Sequence, residues 1–316
     1  MWLYLVALVG LWMLLRLFRE RKVVSDLHNK YVFITGCDSG FGNLLARQLD
    51  RRGLRVLAAC LTVEGAEQLR SKTSERLETV ILDVTKTESI VAATQWVKER
   101  VGNRGLWGLV NNAGISVFAV NEWMSKQDFA TVLDVNLLGM IEVTLNILPL
   151  VRKARGRVVN VSSVMGRLTL VGGGYCVSKY GVEAFSDSLR RELSYFGVKV
   201  AIIEPGGFKT NISDVKRLAD NVKKLWDQAT SEVKEIYGEK YLDSYVKTIT
   251  SLTDTCSEDL SMVTDCMEHA LTACHPRTRY SAGWDAKLFY LPLSYLPTFL
   301  LDALYYWNFP KPAQAL

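Results

Sequence analysis

The sequence is poor in the residues that build metal and disulfide sites. Its 316 residues include three histidines and six cysteines, and the net charge is only +5. His28, His269 and His275 are too few and too far apart in sequence to suggest a metal site. Cys37, Cys60, Cys176, Cys256, Cys266 and Cys274 are scattered, with no Cys-x-x-Cys. That excludes zinc-ribbon spacing and a disulfide framework, and leaves reduced thiols as the expectation. Arg16, Arg19, Arg21 and Lys22 face only Glu20 among residues 16–22, so the rest of the chain is nearly neutral and a nucleic-acid partner is not expected. Internal repeats, low-complexity tracts and a linker able to separate two domains are also missing.

What is present begins with an unbroken apolar run, Met1–Leu15. As a helix it is about 22 Å long at 1.5 Å per residue. Extension through Leu17 and Phe18, with Arg16 snorkelling, brings it to about 27 Å, just short of a hydrocarbon core. A basic start and a small-residue cleavage site are lacking, so residues 1–18 read as an uncleaved membrane anchor. The cations that follow place the body in the cytosol.

From Lys30 the pattern changes to alternating strands and helices. Strands are expected at Lys30–Thr35, Arg55–Cys60, Glu78–Leu82, Gly108–Val110, Arg157–Val161 and Lys199–Glu204, with an edge strand from Arg279. Helices are expected between them, the longest over Asp128–Lys153 with a kink near Gly139. This rhythm predicts an α/β fold with a doubly wound parallel sheet. Ligands of such sheets bind beyond the carboxyl ends of the strands. Gly36–Gly42, Asp83, Asn111–Gly114, Ser162–Ser163 and Pro205–Gly207 all fall there. Residues of about 208–259 lack the rhythm and read as helices covering the substrate side. Residues 284–316 include the apolar stretch Leu288–Trp307, broken by Pro292 and Pro297, which reads as a membrane contact, a flap over the pocket or a core-packing segment.

Two local patterns carry chemistry. Gly36, Gly40 and Gly42 lie between a buried strand and a helix, the arrangement that cradles a nucleotide pyrophosphate on backbone N–H groups. Tyr175 and Lys179 are four apart, on one face of a helix. A phenol is a poor base at neutral pH, and the ammonium is expected to lower its pKa into a useful range. Gly172–Gly174 read as a bend admitting a bulky substrate. NADP would call for a basic residue at the adenine ribose. The second strand ends Ala59-Cys60-Leu61-Thr62, with neither a base nor the usual NAD-selecting acid, while Asp38-Ser39 in the glycine turn would repel a phosphate; the expected cofactor is NAD.

Thr35-Gly36-x-x-x-Gly40-x-Gly42, Asn111-Asn112-Ala113-Gly114, Ser163, Tyr175-x-x-x-Lys179 and Pro205-Gly206 resemble the short-chain dehydrogenase/reductase superfamily, in order over residues 29–210. The start Leu-Phe-Arg-Glu-Arg, Gly-Cys-Asp-Ser-Gly-Phe-Gly and Gly-Gly-Gly-Tyr-Cys are similar to the microsomal retinol dehydrogenase group, which includes enzymes of 3α- and 17β-hydroxysteroids. Val117–Trp123 departs from that group's pattern and is one residue shorter. The resemblance implies a single Rossmann-type domain over 29–283 on an endoplasmic reticulum membrane, with room for a homodimer. It implies NAD-dependent oxidation of a lipophilic alcohol, retinol or a 3α-hydroxysteroid; 17β-hydroxysteroid oxidation or steroid epimerisation is the alternative. Tyr175 is then the base, Lys179 its electrostatic partner and a holder of the nicotinamide ribose. Ser163, rather than Ser162, holds the substrate oxygen, and Asn136 holds a proton-relaying water. Gly36, Asp38, Ser39, Gly40, Gly42, Asp83 and Asn111 line the cofactor cleft, and Thr210 touches the cofactor or caps a helix. A reading from another class is a membrane-tethered dinucleotide-binding scaffold without turnover. Asn160-Val-Ser162 and Asn211-Ile-Ser213 are glycosylation sequons, so a glycan on Asn211 would mark a luminal body.

Overall fold

The computed structural model describes residues 2–315; the side chains of Leu3, Val9, Trp12, Met13 and Arg16, and with them the expected snorkelling of Arg16, lie outside that description. Seven strands form one sheet: β1 Tyr31–Thr35, β2 Arg55–Cys60, β3 Leu77–Ile81, β4 Gly108–Asn111, β5 Arg157–Val161, β6 Lys199–Pro205 and β7 Arg279–Ala282. Their order is β3-β2-β1-β4-β5-β6-β7, and every pairing is parallel. The order reverses between β1 and β4, which opens a crevice at their carboxyl ends.

Thirteen helices are described: α1 Trp2–Glu20, α2 Gly40–Arg51, α3 Val63–Arg70, α4 Thr87–Val101, α5 Lys126–Leu133, α6 Met140–Lys153, α7 Gly174–Leu193, α8 Val215–Gln228, α9 Ser231–Tyr237, α10 Glu239–Asp254, α11 Ser261–Thr272, α12 Leu291–Leu293 and α13 Thr298–Asn308. The central strands are buried on both faces, which is why they are continuous apolar runs. Strand alternation splits β1 between two layers. Val32 and Ile34 pack with Leu45, Leu49, Met267 and Leu271 of α2 and α11. Tyr31 and Phe33 pack with Val97, Ile147, Val151 and Leu193 of α4, α6 and α7. Each fully buried leucine there contributes about 1.5–3 kcal/mol of transfer free energy. A third cluster, built around Trp123, Trp226, Tyr241 and Tyr245, lies outside the sheet under α8 and α10. Most of its residues come from the 208–259 region that lacks the strand–helix rhythm.

Two details differ from the sequence-based expectation. Helix α2 begins at Gly40 rather than Asn43, so Gly42 lies in its first turn. The expected kink near Gly139 is a π turn over Asp134–Gly139 joining α5 to α6. A β-carbon on Gly139 would lie 2.3 Å from the Val84 carbonyl oxygen, so that close approach requires glycine.

The first helix is solvent-exposed along most of its length but is bolted to the domain at its end. Buried Glu20 binds the Arg277 guanidinium, its carbonyl contacts His269 Nε2 at 2.9 Å, and Val24 N donates to Thr272 O at 2.8 Å. At the other end of the chain, residues 286–293 and 298–308 are apolar helical segments bent by 113° to one another. Leu288, Phe289, Phe299 and Trp307 on them, and Trp284 just before them, are all more than half exposed.

Candidate active site

A cavity of about 660 Å³ opens beyond the carboxyl ends of the strands. One side is polar and built from turns. Gly36 has φ +70°, and a β-carbon there would lie 2.8 Å from Ala113 Cα. A β-carbon on Gly42 would lie 2.4 Å from the Gly36 carbonyl oxygen and 2.5 Å from Asn112 Nδ2. Sequence reading missed Thr35 and Asn112, which fasten this corner. Thr35 Oγ1 accepts from the N–H groups of Asn112 and Ala113 at 3.0 Å, and Asn112 Nδ2 donates to Thr35 O at 2.9 Å and Gly36 O at 3.0 Å. Their positions next to Gly36 and inside the Asn-Asn-Ala-Gly turn were the available signal.

Asp38 crosses from the glycine turn to the end of β2. Its carboxylate accepts from Leu61 N at 2.8 Å, Thr62 N at 3.0 Å and Thr62 Oγ1 at 2.8 Å. A carboxylate thus stands at the end of β2, brought there from the neighbouring turn. Ser39 Oγ accepts from Asn211 Nδ2 at 3.1 Å, and Thr210 lies beside Gly40 at the cavity wall. The Thr210 N–H donates to Ser213 Oγ at 2.9 Å in a short helical turn. Asp83 accepts from Thr85 Oγ1 at 2.7 Å and Thr85 N at 3.0 Å, which holds its carboxyl below the usual carboxylate range. The Asn160 sequon is on a fully buried side chain, whereas Asn211 is exposed at the cavity rim.

Asn111 departs from expectation. It does not line the cavity; its Nδ2 donates to Thr144 Oγ1 and Asn160 Oδ1, both at 2.8 Å, within the buried layer below. As the last strand residue it points away from the crevice, and Asn112 takes the cavity side.

The reactive groups meet where the polar side joins the apolar one. Ser163, Tyr175 and Lys179 all line the cavity. Ser163 Oγ accepts from Met165 N at 3.1 Å, fixed by the turn Val164–Gly166. Ser162 also borders the cavity, but its Oγ donates to Lys179 O at 3.4 Å and would crowd a β-carbon on Gly166. Lys179 is buried, and its Nζ donates to Val161 O at 2.8 Å and lies 5.5 Å from the Tyr175 ring centre. Asn136, in the π turn, accepts from Ile115 N at 2.8 Å and donates to Ile115 O at 2.9 Å and Ser178 Oγ at 3.0 Å. Its side chain is thus committed to pinning the strand exit to α7.

The expected lowering of the Tyr175 pKa by Lys179 is corrected. Burial pushes the phenol up to about 12, and hydrogen bonding to Ser163 opposes this. Burial also pushes Lys179 down to about 8, with the Glu183 carboxylate opposing. In both groups burial is the largest cause of the shift.

The apolar side was only partly foreseen. Phe118 packs edge-on against Tyr175, ring centres 5.1 Å apart at 70°. Its segment is the one that departs from the expected pattern, and the glycine bend clasps it: β-carbons on Gly172 and Gly173 would lie 2.5 Å from Ala119 O and 2.6 Å from Val117 O.

Residues 30–221 match the family model described as short chain dehydrogenase. The chain belongs to the short-chain dehydrogenase family. It is therefore an oxidoreductase, which sets aside the scaffold reading. This short-chain dehydrogenase is 82% identical to mouse retinol dehydrogenase 7, 70% to human retinol dehydrogenase 16 and 63% to human 17-beta-hydroxysteroid dehydrogenase type 6, each aligned over the full length of both chains. A solved short-chain dehydrogenase from Streptomyces avermitilis superimposes with TM-score 0.70 at 26% identity, over 88% of this chain and 96% of that one. A Burkholderia phymatum structure in complex with NAD shares the fold, with TM-score 0.71 at 20% identity, over 93% of this chain and 99% of that one.

Proposed function

We propose that this dehydrogenase oxidises a membrane-dissolved lipophilic alcohol with NAD, the alcohol being all-trans-retinol or a 3α-hydroxysteroid. The observation that carries this is the place of Tyr175, Ser163 and Lys179, between a glycine-built polar wall and an apolar wall of one cavity. The names of the full-length relatives supply the substrate class. The 17β-hydroxysteroid alternative draws support from the 63% identical relative.

A dinucleotide fits the polar wall, where the missing β-carbons of Gly36 and Gly42 leave backbone accessible at the start of α2. Gly36, Ser39, Gly40 and Gly42 would hold its phosphates, Asp83 its adenine, and Lys179 its nicotinamide ribose. Asp38 at the end of β2 favours ribose hydroxyls and disfavours a 2′-phosphate, which supports NAD over NADP. Bound there, a nicotinamide supplies the hydride acceptor and a positive charge in its oxidised form. Ser163 Oγ holds the substrate oxygen as charge develops on it. Tyr175 accepts the hydroxyl proton as its phenolate, which forms once the Ser163 hydrogen bond and the positive charges of Lys179 and the bound cofactor offset its burial. Asn136 sets the π turn beside Ser178, and the proton leaves past Lys179 through water held there. Thr210 closes the cofactor side from the loop after β6.

Helix α1, apolar from Trp2 to Leu15 over about 21 Å at 1.5 Å per residue and with most of its described side chains exposed, supports an anchor in the endoplasmic reticulum membrane. Lys126–Lys153 is also long and apolar enough to span, but it packs against the sheet and is a core helix. The exposed aromatic face of residues 284–307 supports a second contact with lipid, with Tyr290 reaching back to the cavity wall. The cations after α1 favour a cytosolic domain. A glycan on Asn211 would stand at the cofactor rim, so glycosylation there would refute that orientation.

The test is a microsomal assay of the full chain with NAD and NADP in parallel, offered all-trans-retinol and androstane-3α,17β-diol. Turnover of at least one alcohol with NAD favoured about tenfold or more is expected, the scale of one well-placed charge. Failure on both alcohols, or preference for NADP, would overturn the reading.

A further inference from the structure

Behind Ser163 lies an ion network, centred on buried Glu204 with half-buried arginine partners, that the reaction steps do not use. Glu204, only 1% exposed, sits near the end of β6, immediately before Pro205 and Gly206 of the cavity wall. It accepts from Arg167 Nη1 at 3.0 Å and lies 3.5 Å from Arg279 Nε. Arg279 in turn reaches Glu183 at 2.9 Å and Asp187 at 3.0 Å on α7. Arg167 follows directly on the turn Val164–Gly166 that fixes Ser163. Its other amino group donates to Tyr295 Oη at 2.9 Å, between α12 and α13. Gly166 lets this turn lie against α7: a β-carbon there would sit 2.7 Å from Ser162 Oγ and 3.1 Å from Glu183 Cγ.

Buried ion pairs carry a desolvation cost that often cancels their attraction, so stability alone is a poor account of this one. What the network does define is geometry. It joins the Ser163 turn, α7, β6, β7 and the C-terminal segment through charge-assisted bonds of fixed direction. We propose that Arg167 and Glu204 are positioning residues for Ser163: their ion pair holds the turn carrying that hydroxyl against the end of β6. The Tyr295 hydrogen bond makes this hold depend on the C-terminal segment being seated. The inference rests on the reading of Ser163 as the holder of the substrate oxygen.

The experiment is a double-mutant cycle on the full chain in microsomes, with all-trans-retinol and NAD. Arg167→Met should lower kcat about tenfold with KM for NAD within about twofold, and Arg167→Lys should recover part of the loss. Glu204→Gln, which keeps the shape, should match Arg167→Met. In a Ser163→Ala background, Arg167→Met should cost less than about twofold more, because the group it positions is gone. Tyr295→Phe should cost about threefold in kcat, the scale of one hydrogen bond. Full kcat in Arg167→Met, or a loss undiminished in the Ser163→Ala background, would overturn the proposal while leaving Ser163 in place. Full kcat in Ser163→Ala would instead overturn the reading of Ser163 and the proposal with it. An unchanged Tyr295→Phe would overturn the dependence on the C-terminal segment.

Discussion

The two walls of the cavity are built by different physics. On the glycine-turn side, position is set by backbone approach and paired polar atoms: Asp38 accepts three hydrogen bonds, and Asn112 Nδ2 donates two. On the other side, the lining residues Val171, Leu218 and Ile249 are backed by a cluster of packed rings. Trp123 has Trp226 at 4.9 Å, Tyr245 at 5.5 Å and Tyr237 at 5.6 Å, all edge-on. There, among the described residues, Trp123 Nε1 and Tyr245 Oη are buried without a hydrogen-bond partner, each a cost of about 1–3 kcal/mol. A wall fixed by backbone contacts admits few substitutions. A wall of packed side chains tolerates exchange of shape while volume is kept. On the proposed function, one molecule thus combines a fixed cofactor site with an adjustable substrate site.

The hardest test of this division is at the seam. Tyr175→Phe should lower kcat by about a thousandfold, within the range for loss of a general base. NAD affinity, measured by protein fluorescence, should stay within about twofold, because the phenol belongs to neither wall. Full turnover of the variant would remove the seam altogether. Next in size is a change on the fixed wall. Gly42→Val places carbon 2.4 Å from the Gly36 carbonyl oxygen, where only backbone can yield. It should cost about 1–3 kcal/mol of stability and raise the NAD dissociation constant about tenfold or more. Unaltered NAD binding would show that this wall is less rigid than its contacts imply.

The fixed wall was also the more legible one. Gly36, Gly42, Tyr175 and Lys179 declare themselves by spacing, because backbone approach and helical phase depend on sequence separation alone. Asn111 and Asn112 show where that reading ends. Adjacent residues at a strand end face opposite sides, so an error of one residue moves a side chain from the cavity into the core. Asp38 was read as a local repulsive charge; its reach across to Leu61 and Thr62 is a tertiary fact. The pKa of Tyr175 was misjudged because a sequence displays the neighbouring charge and conceals the burial. The packing of Phe118 on Tyr175 left no mark except a segment one residue out of pattern.

Proton linkage sharpens the view of the seam itself. Without cofactor, Lys179 titrates near 8 in the folded protein against 10.5 unfolded. The unfolded state therefore binds the extra proton between those values, and stability rises with pH across that window. Tyr175, raised from 10.0 to about 12, has the opposite sign, so its contribution falls with pH above 10. Buried thiols such as Cys60 and Cys176, raised to about 12 and about 11, pull the absolute profile down above pH 9, so the lysine is read as a difference. The melting temperature of the parent protein minus that of Lys179→Met should rise from pH 8 towards 10; a difference that stays flat would mean that water reaches this lysine.

The smallest expected effect probes the adjustable wall. Phe118 touches the Tyr175 ring edge-on, and its segment is held by close backbone approach to Gly172 and Gly173, with one polar tie from Gly173 N to Asn121 Oδ1 at 2.9 Å. Removing such a ring pair costs about 0.5–1.5 kcal/mol beyond its area, so Phe118→Ala should lose only a few fold in kcat on the slender polyene alcohol. It also opens room beside the phenol, where the fused rings of a secondary steroid alcohol must lie for their carbinol carbon to reach Tyr175. The ratio of kcat/KM for androstane-3α,17β-diol to that for all-trans-retinol should therefore rise about three- to tenfold, with KM for NAD unchanged. Phe118→Leu, which keeps much of the volume, should shift the ratio less. An equal loss on both alcohols would make Phe118 a support for Tyr175 alone, and the choice between the substrates would then belong to α8, α10 and the C-terminal segment.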